Sequence, residues 1–253
     1  MAELPYQAVI VDLDRTLLRT DKSISEYTAE VLKAWQDAGA FLYAATARPE
    51  RAVTEYRQRI GFRSVTTLNG ARTITPAGVS ENPIDAAGAA SVLEQLARRE
   101  GTFISVEAEN GIYSNREFPL WAPVVLNDLT VLPGREKIYK ILASHPDIPP
   151  DRIEVRLPEG VYCTVADKKL LQVMNGAATK WNGIRRMLEQ DRISAVRAIF
   201  FGDDNDDLEP IRRCGRGVAV SNALACVREI ADDITLSNDE DGIARYLAKL
   251  LGL

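Results

Sequence analysis

The stretch VIVDLDRTLL, residues 9–18, constrains this chain more than any other. Ala8, Val9, Ile10 and Val11 favour a buried strand and run straight into Asp12-Leu13-Asp14-Arg15-Thr16. Alternate residues of an extended segment point the same way, so Asp12 and Asp14 project into one space where the strand ends. In an open α/β sheet that carboxyl end is where ligands bind. Two carboxylates about 4 Å apart, at an effective dielectric near 20, repel by roughly 4 kcal/mol. A hard divalent cation such as Mg²⁺ offsets such repulsion, whereas an acidic turn closing a strand needs no ligand. The stretch alone leaves both readings open.

Composition narrows the classes. A chain of 253 residues can bury a substantial core as one large domain or two. Its net charge of −5 offers no electrostatic footprint for nucleic acid or an anionic membrane. No uncharged apolar run approaches the roughly 18 residues of a membrane helix. The opening MAELPYQ has neither a basic region nor an apolar core, so no signal peptide is expected. Three scattered cysteines, Cys163, Cys214 and Cys226, form no CxxC pair; they imply a reducing cytoplasm and are expected to be small buried residues. The single histidine, His145, sits in the Pro-rich turn ASHPDIPPD and reads as a surface residue. Histidine-based triads and multi-histidine zinc sites are thereby disfavoured, leaving carboxylates as the actors.

Strand and helix alternate along the first part. Ser23 and Glu26 stand at capping-box spacing, and Tyr27, Val31, Leu32, Trp35 and Ala38 recur at helical intervals before Gly39. AFLYAA (40–45) is a strand ending at Thr46-Ala47-Arg48, and Pro49 opens a helix from Arg51 to Ile60. VTTL (65–68) is a third strand before Asn69-Gly70-Ala71. This order predicts a doubly wound parallel sheet with right-handed crossovers, a Rossmann-like α/β core. From about residue 81 the texture changes to an α+β unit. It reads as helices over 85–99 and 135–144, strands over 102–107, 111–114, 152–156 and 161–166, and the irregular EFPLWAPVVLND. Phe118 and Trp121 there could line a substrate pocket, but core packing is the stronger reading. Alternation resumes with a helix from Lys180 and the strand VRAIFF, which ends at Gly202-Asp203-Asp204-Asn205-Asp206-Asp207. GVAV, a helix from Asn222, DITLS and a closing helix follow. The organisation is therefore a core over 1–80 and 178–253 with an inserted unit over 81–177.

Several strand ends thus carry polar residues of one kind: Asp12 and Asp14; Thr46 with Arg48; Asp203 with Asp206 and Asp207. With Lys180 heading a helix, they describe a site for a metal and an anion. Their order and types resemble the haloacid dehalogenase superfamily, in its Cof-like branch of small-molecule phosphatases with an inserted α/β cap. The resemblance rests on DLDRTLL (12–18), TAR (46–48), NGA (69–71), ATKWNG (178–183), GDDNDDLEP (202–210), GVAVSNA (217–223) and TLSNDEDGIA (235–244).

The resemblance implies a Mg²⁺-dependent phosphatase acting on a small phosphomonoester. Asp12 is the expected nucleophile, forming an aspartyl-phosphate, and Asp14 the acid and base, its pKa raised by its carboxylate neighbour. Mg²⁺ is expected on Asp12, Asp203 and the main-chain carbonyl of Asp14, with Asp207 ligating or positioning. Thr46 and Lys180 are expected to hold the phosphoryl oxygens. Arg15, Ala47, Arg48, Asn69, Gly70 and Asp206 are candidates for substrate contact or support. For Arg48 an ion pair at the helix start is the stronger reading; for Asn69 and Asn222, turns or helix caps. Three positions depart from the family pattern: Arg15 and Ala47 stand where glycine is common, and Asp206 where asparagine is usual. Arg15 and Asp206 are expected to pair and offset each other's charge. A phosphomutase, or a degenerate domain that binds without turnover, would share these motifs. Sugar phosphates, nucleotides, flavin mononucleotide and pyridoxal phosphate all remain open as substrates, and oligomeric state is not legible.

Overall fold

The computed structural model describes residues 4–119, 121–166 and 169–253; the start of MAELPYQ and Leu120 of the EFPLWAPVVLND segment lie outside them. The chain opens with β1 (Ala8–Val11), α1 (Glu26–Asp37), β2 (Phe41–Ala45), α2 (Thr54–Ile60), β3 (Ser64–Thr67), β4 (Arg72–Thr75) and β5 (Gly78–Glu81). It continues through α3 (Ala86–Ala97), β6 (Phe103–Ala108), β7 (Gly111–Ser114), β8 (Val124–Val125), β9 (Ile138–Ser144), β10 (Val161–Ala166) and β11 (Leu170–Asn175). It closes with α4 (Lys180–Gln190), β12 (Ala198–Gly202), α5 (Leu208–Arg213), β13 (Arg216–Val220), α6 (Ala225–Ile230), β14 (Asp233–Thr235) and α7 (Gly242–Leu251). Two compact units result, one of residues up to Ser80 with Thr179–Leu253, the other Glu81–Ala178.

The first unit is built on a sheet ordered β14-β13-β12-β1-β2-β3-β4-β5. From β14 to β3 the neighbours are parallel, and β1 lies between β12 and β2 with Val11 opposite Phe201 and Ala44. β4 returns antiparallel to β3, with β5 beyond it at the edge. Strand alternation sends Val9 and Val11 into a core with Leu42, Phe201, Leu32 and Trp35. Ala8 and Ile10 go to the opposite core with Tyr43, Phe200, Ile184 and Met187. Each face therefore needs its own helices, which is why the sheet is wound on both sides. The parallel strands leave their carboxyl ends on one edge, carrying the loops that begin at Asp12, Thr46, Leu68, Asp203 and Ser221.

Local details differ from the sequence reading in instructive ways. Ser25, not Ser23, caps α1: its Oγ accepts from the Thr28 amide at 3.0 Å, while Ser23 bonds to Asp21. The segment 51–60 is a short 3₁₀ turn followed by α2, which ends on Gly61 at φ 73°.

The second unit carries a sheet ordered β10-β11-β9-β6-β7-β8. α3 lays Ala89, Val92, Leu93 and Leu96 into one core with Ile104, Val106, Ile141, Ala143, Leu171 and Val173. The helix expected over 135–144 is instead strand β9, IYKILAS, buried along nearly its whole length. A strand without polar alternation cannot be told from a helix by periodicity. No strand forms over 152–156, and β11 was unread for the same lack of alternation. Phe118 stacks on buried Phe103 at 5.3 Å between ring centroids and meets Trp121 at 4.7 Å. His145 is a half-buried turn residue, accepting from the Asp147 amide at 3.1 Å. Cys214 is buried, but Cys163 and Cys226 are exposed, against the expectation for all three. Cys163 lies on the edge strand β10, and Cys226 in the first turn of α6.

Trp35 shows how the flanking helices are fixed. It is 0% exposed and donates from Nε1 to the Leu247 carbonyl on α7 at 3.2 Å. Trp35→Ala is expected to destabilise the protein by about 3–5 kcal/mol, read as a lower denaturant midpoint at unchanged slope.

Candidate active site

The Asp12 amide donates to the Phe201 carbonyl at 2.9 Å, so sheet pairing continues one residue beyond β1 and fixes where the Asp12 side chain starts. On the neighbouring strand, β12 ends at Gly202, whose missing side chain admits Asp207: a Cβ there would lie 2.6 Å from the Asp207 carboxyl. Asp207 Oδ2 accepts from the amides of Asp203 and Asp204 at 2.9 and 3.1 Å, closing a capping box with Asp204. Asp204 and Asn205 thus serve turn geometry, as their types suggest.

Lys180 is the first residue of α4, which Thr179 caps by accepting from the Asn182 amide at 3.1 Å. Its ammonium is 4% exposed and donates to Asp12 Oδ1 at 2.7 Å and Asp207 Oδ1 at 2.6 Å. Gly70 abuts this helix start; at φ 95° it leaves no room for a Cβ, which would fall 2.0 Å from the Thr179 carbonyl oxygen. Ligand oxygens of Asp12, Asp203 and Asp207 all lie within 4.8 Å of one another, and all three residues are buried.

The electrostatics follow from this crowding. Burial drives the Asp12 pKa well up, and Asp207 and Asp203 add to it against the opposing pull of Lys180. Burial, then Asp207, lifts Asp203 to about 6 although Thr16 donates to its Oδ1 at 2.9 Å. Lys180 loses by burial but is held charged, its pKa raised by Asp12, Asp207 and Asp206. One ammonium against three buried carboxylates leaves a deficit of positive charge. The donor set is anionic, all oxygen and closely spaced, which fits a hard divalent cation.

Asp14 behaves differently, and the expectation of a raised pKa is overturned. Burial works upward, but hydrogen bonds from Arg48 and then Lys22 outweigh it and bring the carboxyl down to about 2. Arg48 grips it through Nε at 2.6 Å and Nη2 at 2.7 Å, and Lys22 Nζ reaches Oδ1 at 2.7 Å. Arg48 is thus the ion pair expected, with Asp14 as partner. Arg15 does not pair with Asp206. It lies 3.8 Å from Asp203 and donates to the Asn222 carbonyl at 3.3 Å, while Asp206 accepts from Asn69 at 2.5 Å. Arg15 takes a left-handed φ of 60°.

The remaining candidates fall around this centre. Thr46, 1% exposed, follows β2 and accepts from the Arg48 amide at 3.1 Å; Ala47 beside it is exposed. Asn69 is buried at φ 51°, and its Oδ1 has no hydrogen-bond partner among the described residues. Asn222 bridges loops, donating to the Arg15 carbonyl at 2.8 Å and accepting from the Asn238 amide at 3.0 Å. Thr16 and Lys22 were missed: Thr16 lies inside the first motif and was legible there, whereas a lone lysine in a polar loop carries no signal.

The sequence profile of the haloacid dehalogenase-like hydrolases matches residues 9–247, nearly the whole chain. The chain belongs to that family and is an enzyme of it. It is 27% identical over 274 residues, covering 100% of both chains, to the 5-amino-6-(5-phospho-D-ribitylamino)uracil phosphatase of Bacillus subtilis (strain 168). Another Bacillus subtilis phosphatase is 24% identical over 283 residues, spanning 96% of this chain and 99% of that one. A haloacid dehalogenase-like hydrolase from Bacteroides thetaiotaomicron shares the fold with a TM-score of 0.85, at 24% identity over 97% of this chain and 99% of that one. A subclass IIB sugar phosphatase of the superfamily shares it at a TM-score of 0.81 and 21% identity, over 97% and 99%. Among the described residues no helix is long and apolar enough to cross a membrane.

The raised Asp203 pKa has a consequence for stability. Between the ordinary 3.8 and about 6 the folded chain keeps a proton that the unfolded chain has released. This group's contribution to the stability of the cation-free protein therefore falls as pH rises through that window. Asp203→Asn is expected to flatten the pH dependence of Tm there, measured in chelator.

Proposed function

We propose that this phosphatase is Mg²⁺-dependent and hydrolyses a small phosphorylated metabolite through a phosphoryl group carried on Asp12. The observation that carries the reading is the buried cluster of Asp12, Asp203 and Asp207 around the Lys180 ammonium. Asp12 and Asp203 would ligate the cation together with the Asp14 carbonyl. Asp207 positions, since its two oxygens already serve Lys180 and the amides of Asp203 and Asp204. When bound, the cation supplies charge neutralisation at the phosphoryl oxygens.

The chain's own groups divide the remaining work. An Asp12 oxygen bonds to phosphorus as the bond to the leaving oxygen breaks, and Asp14 delivers a proton to that oxygen. Asp14 then takes a proton from water, whose oxygen attacks the phosphorus, releasing inorganic phosphate and restoring Asp12. As held by Arg48 and Lys22, Asp14 is the carboxylate that the second step needs; the first requires a proton to reach it there. Lys180, already on Asp12 Oδ1, would meet a phosphoryl oxygen there, and Thr46 would donate from the next strand end.

The unit Glu81–Ala178 would select the substrate. The Bacillus subtilis relative matched along its whole length is named for a phosphorylated ribityl compound, which supports a sugar phosphate, a nucleotide or a cofactor phosphate. Free thiols at Cys163, Cys214 and Cys226 suit a reducing cytoplasm.

Phosphate release from a panel of sugar phosphates, nucleotides, flavin mononucleotide, pyridoxal phosphate and p-nitrophenyl phosphate tests the reading. Release is expected with Mg²⁺, to vanish with chelator, and to fall by about 10³-fold or more in Asp12→Asn. A folded protein that binds Mg²⁺ yet releases no phosphate from any ester would overturn it. Transfer of the phosphoryl group within the product would point to a mutase.

A further inference from the structure

A cation outside the buried cluster is held with unusual care. Lys22 is exposed, and its backbone sits in the left-handed region at φ 69°. The turn that carries it is fastened from several directions. The Lys22 amide donates to the Arg19 carbonyl at 2.9 Å, and the Arg19 amide to the Ser23 carbonyl at 3.0 Å. The Tyr56 hydroxyl donates to the Lys22 carbonyl at 3.2 Å. On its outer side, Thr20 donates its amide and hydroxyl to Asp239 at 2.8 and 2.7 Å, and Arg19 donates to Asp241 at 2.7 Å. These carboxylates lie more than two hundred residues along the chain. A left-handed backbone at a lysine is unfavourable and persists only where the surroundings impose it. Here they impose it at the residue whose Nζ lies 2.7 Å from Asp14 Oδ1. Arg48 closes on the same carboxylate from the other side, its guanidinium 5.4 Å from the centre of the Tyr56 ring.

We propose that Lys22 is a positioning residue of the proposed reaction: with Arg48 it aims the Asp14 carboxylate away from the Asp12, Asp203 and Asp207 cluster and toward the leaving oxygen. Asp14 is a fourth acid two residues from Asp12. Left unheld, it would be free to swing into a site that already gathers anionic oxygens. Tyr56 serves both cations, one through its hydroxyl and one through its ring. The inference rests on the phosphatase reading, and it is specific about which step suffers: proton delivery to a leaving group.

Leaving-group dependence tests this. An alkoxide needs a proton as it departs, whereas p-nitrophenolate scarcely does. Lys22→Met keeps the side-chain stem and removes the charge, at an exposed position where folding is not at stake. It is expected to lower kcat on the best alkyl ester of the panel by about tenfold or more, and on p-nitrophenyl phosphate by less than about threefold, with Lys22→Arg restoring the alkyl rate. Tyr56→Phe is expected to act in the same direction with smaller effect. Mg²⁺ affinity, read by calorimetry without substrate, should stay within about threefold of wild type, since Arg48 alone still holds Asp14 out of the cluster and Asp12 and Asp203 are untouched. An equal loss on both esters, a gain on the alkyl ester, or a large change in Mg²⁺ affinity would overturn the role of Lys22 while leaving the phosphatase reading in place. An inactive wild type would remove both.

Discussion

The structure depends on one buried ammonium. Asp12, Asp203 and Asp207 are each almost wholly excluded from water, and Lys180 stands among them with two contacts under 3 Å. Each carboxylate pair at about 4 Å costs on the order of 4 kcal/mol in a dielectric near 20. Without Lys180 the cluster would be uncompensated buried charge, the arrangement that folded chains tolerate least. Much of the local chain is arranged to deliver that side chain. Thr179 caps the helix that begins with it, and Gly70 lets the neighbouring loop close onto that cap. Gly202 lets Asp207 turn back beneath it. Burial first, and then the neighbouring carboxylates, raise the pKa values of Asp12 and Asp203 in spite of Lys180. Their closely spaced anionic oxygens are a donor set that suits a hard divalent cation.

The sheet was legible because parallel strands buried on both faces read as continuous apolar runs, and each ends abruptly in a polar motif. AVIV into Asp12, AFLYAA into Thr46 and VRAIFF into Asp203 place their ends on one edge as soon as the strands are parallel. The inserted unit was less legible for the same reason inverted. IYKILAS and LLQVMN are apolar runs that no motif punctuates, so their sequence alone does not separate β9 from a helix or mark β11. Burial patterns of this kind are set by strands brought together from distant parts of the chain, which a window of residues does not contain.

Asp14 marks where reasoning from spacing alone misleads. Two aspartates at i and i+2 of a strand share a face, and from that a mutual repulsion and a raised pKa follow. The strand has ended by Asp14, however, and its carboxylate answers to Arg48, from the loop after β2, and to Lys22, from a turn eight residues on. Neither partner is implied by the first motif. The same holds for Arg15, whose left-handed backbone sends the guanidinium to Asn222 and Asp203 where charge counting alone had matched it with Asp206. Charge bookkeeping along a sequence finds which residues need compensation; which residue supplies it is decided by backbone conformation.

The two aspartates of the first motif therefore live in opposite electrostatic worlds though one residue separates them. Asp12 is buried among anions with a single cation, and burial drives its pKa well up. Asp14 is gripped by two cations, and its proton is bound too weakly for a resting acid. Environments that push neighbouring titratable groups apart are how one site supports both a nucleophile and a proton carrier. That difference is set by the placement of Lys180 among the buried acids on one side and of Arg48 with Lys22 on Asp14 on the other.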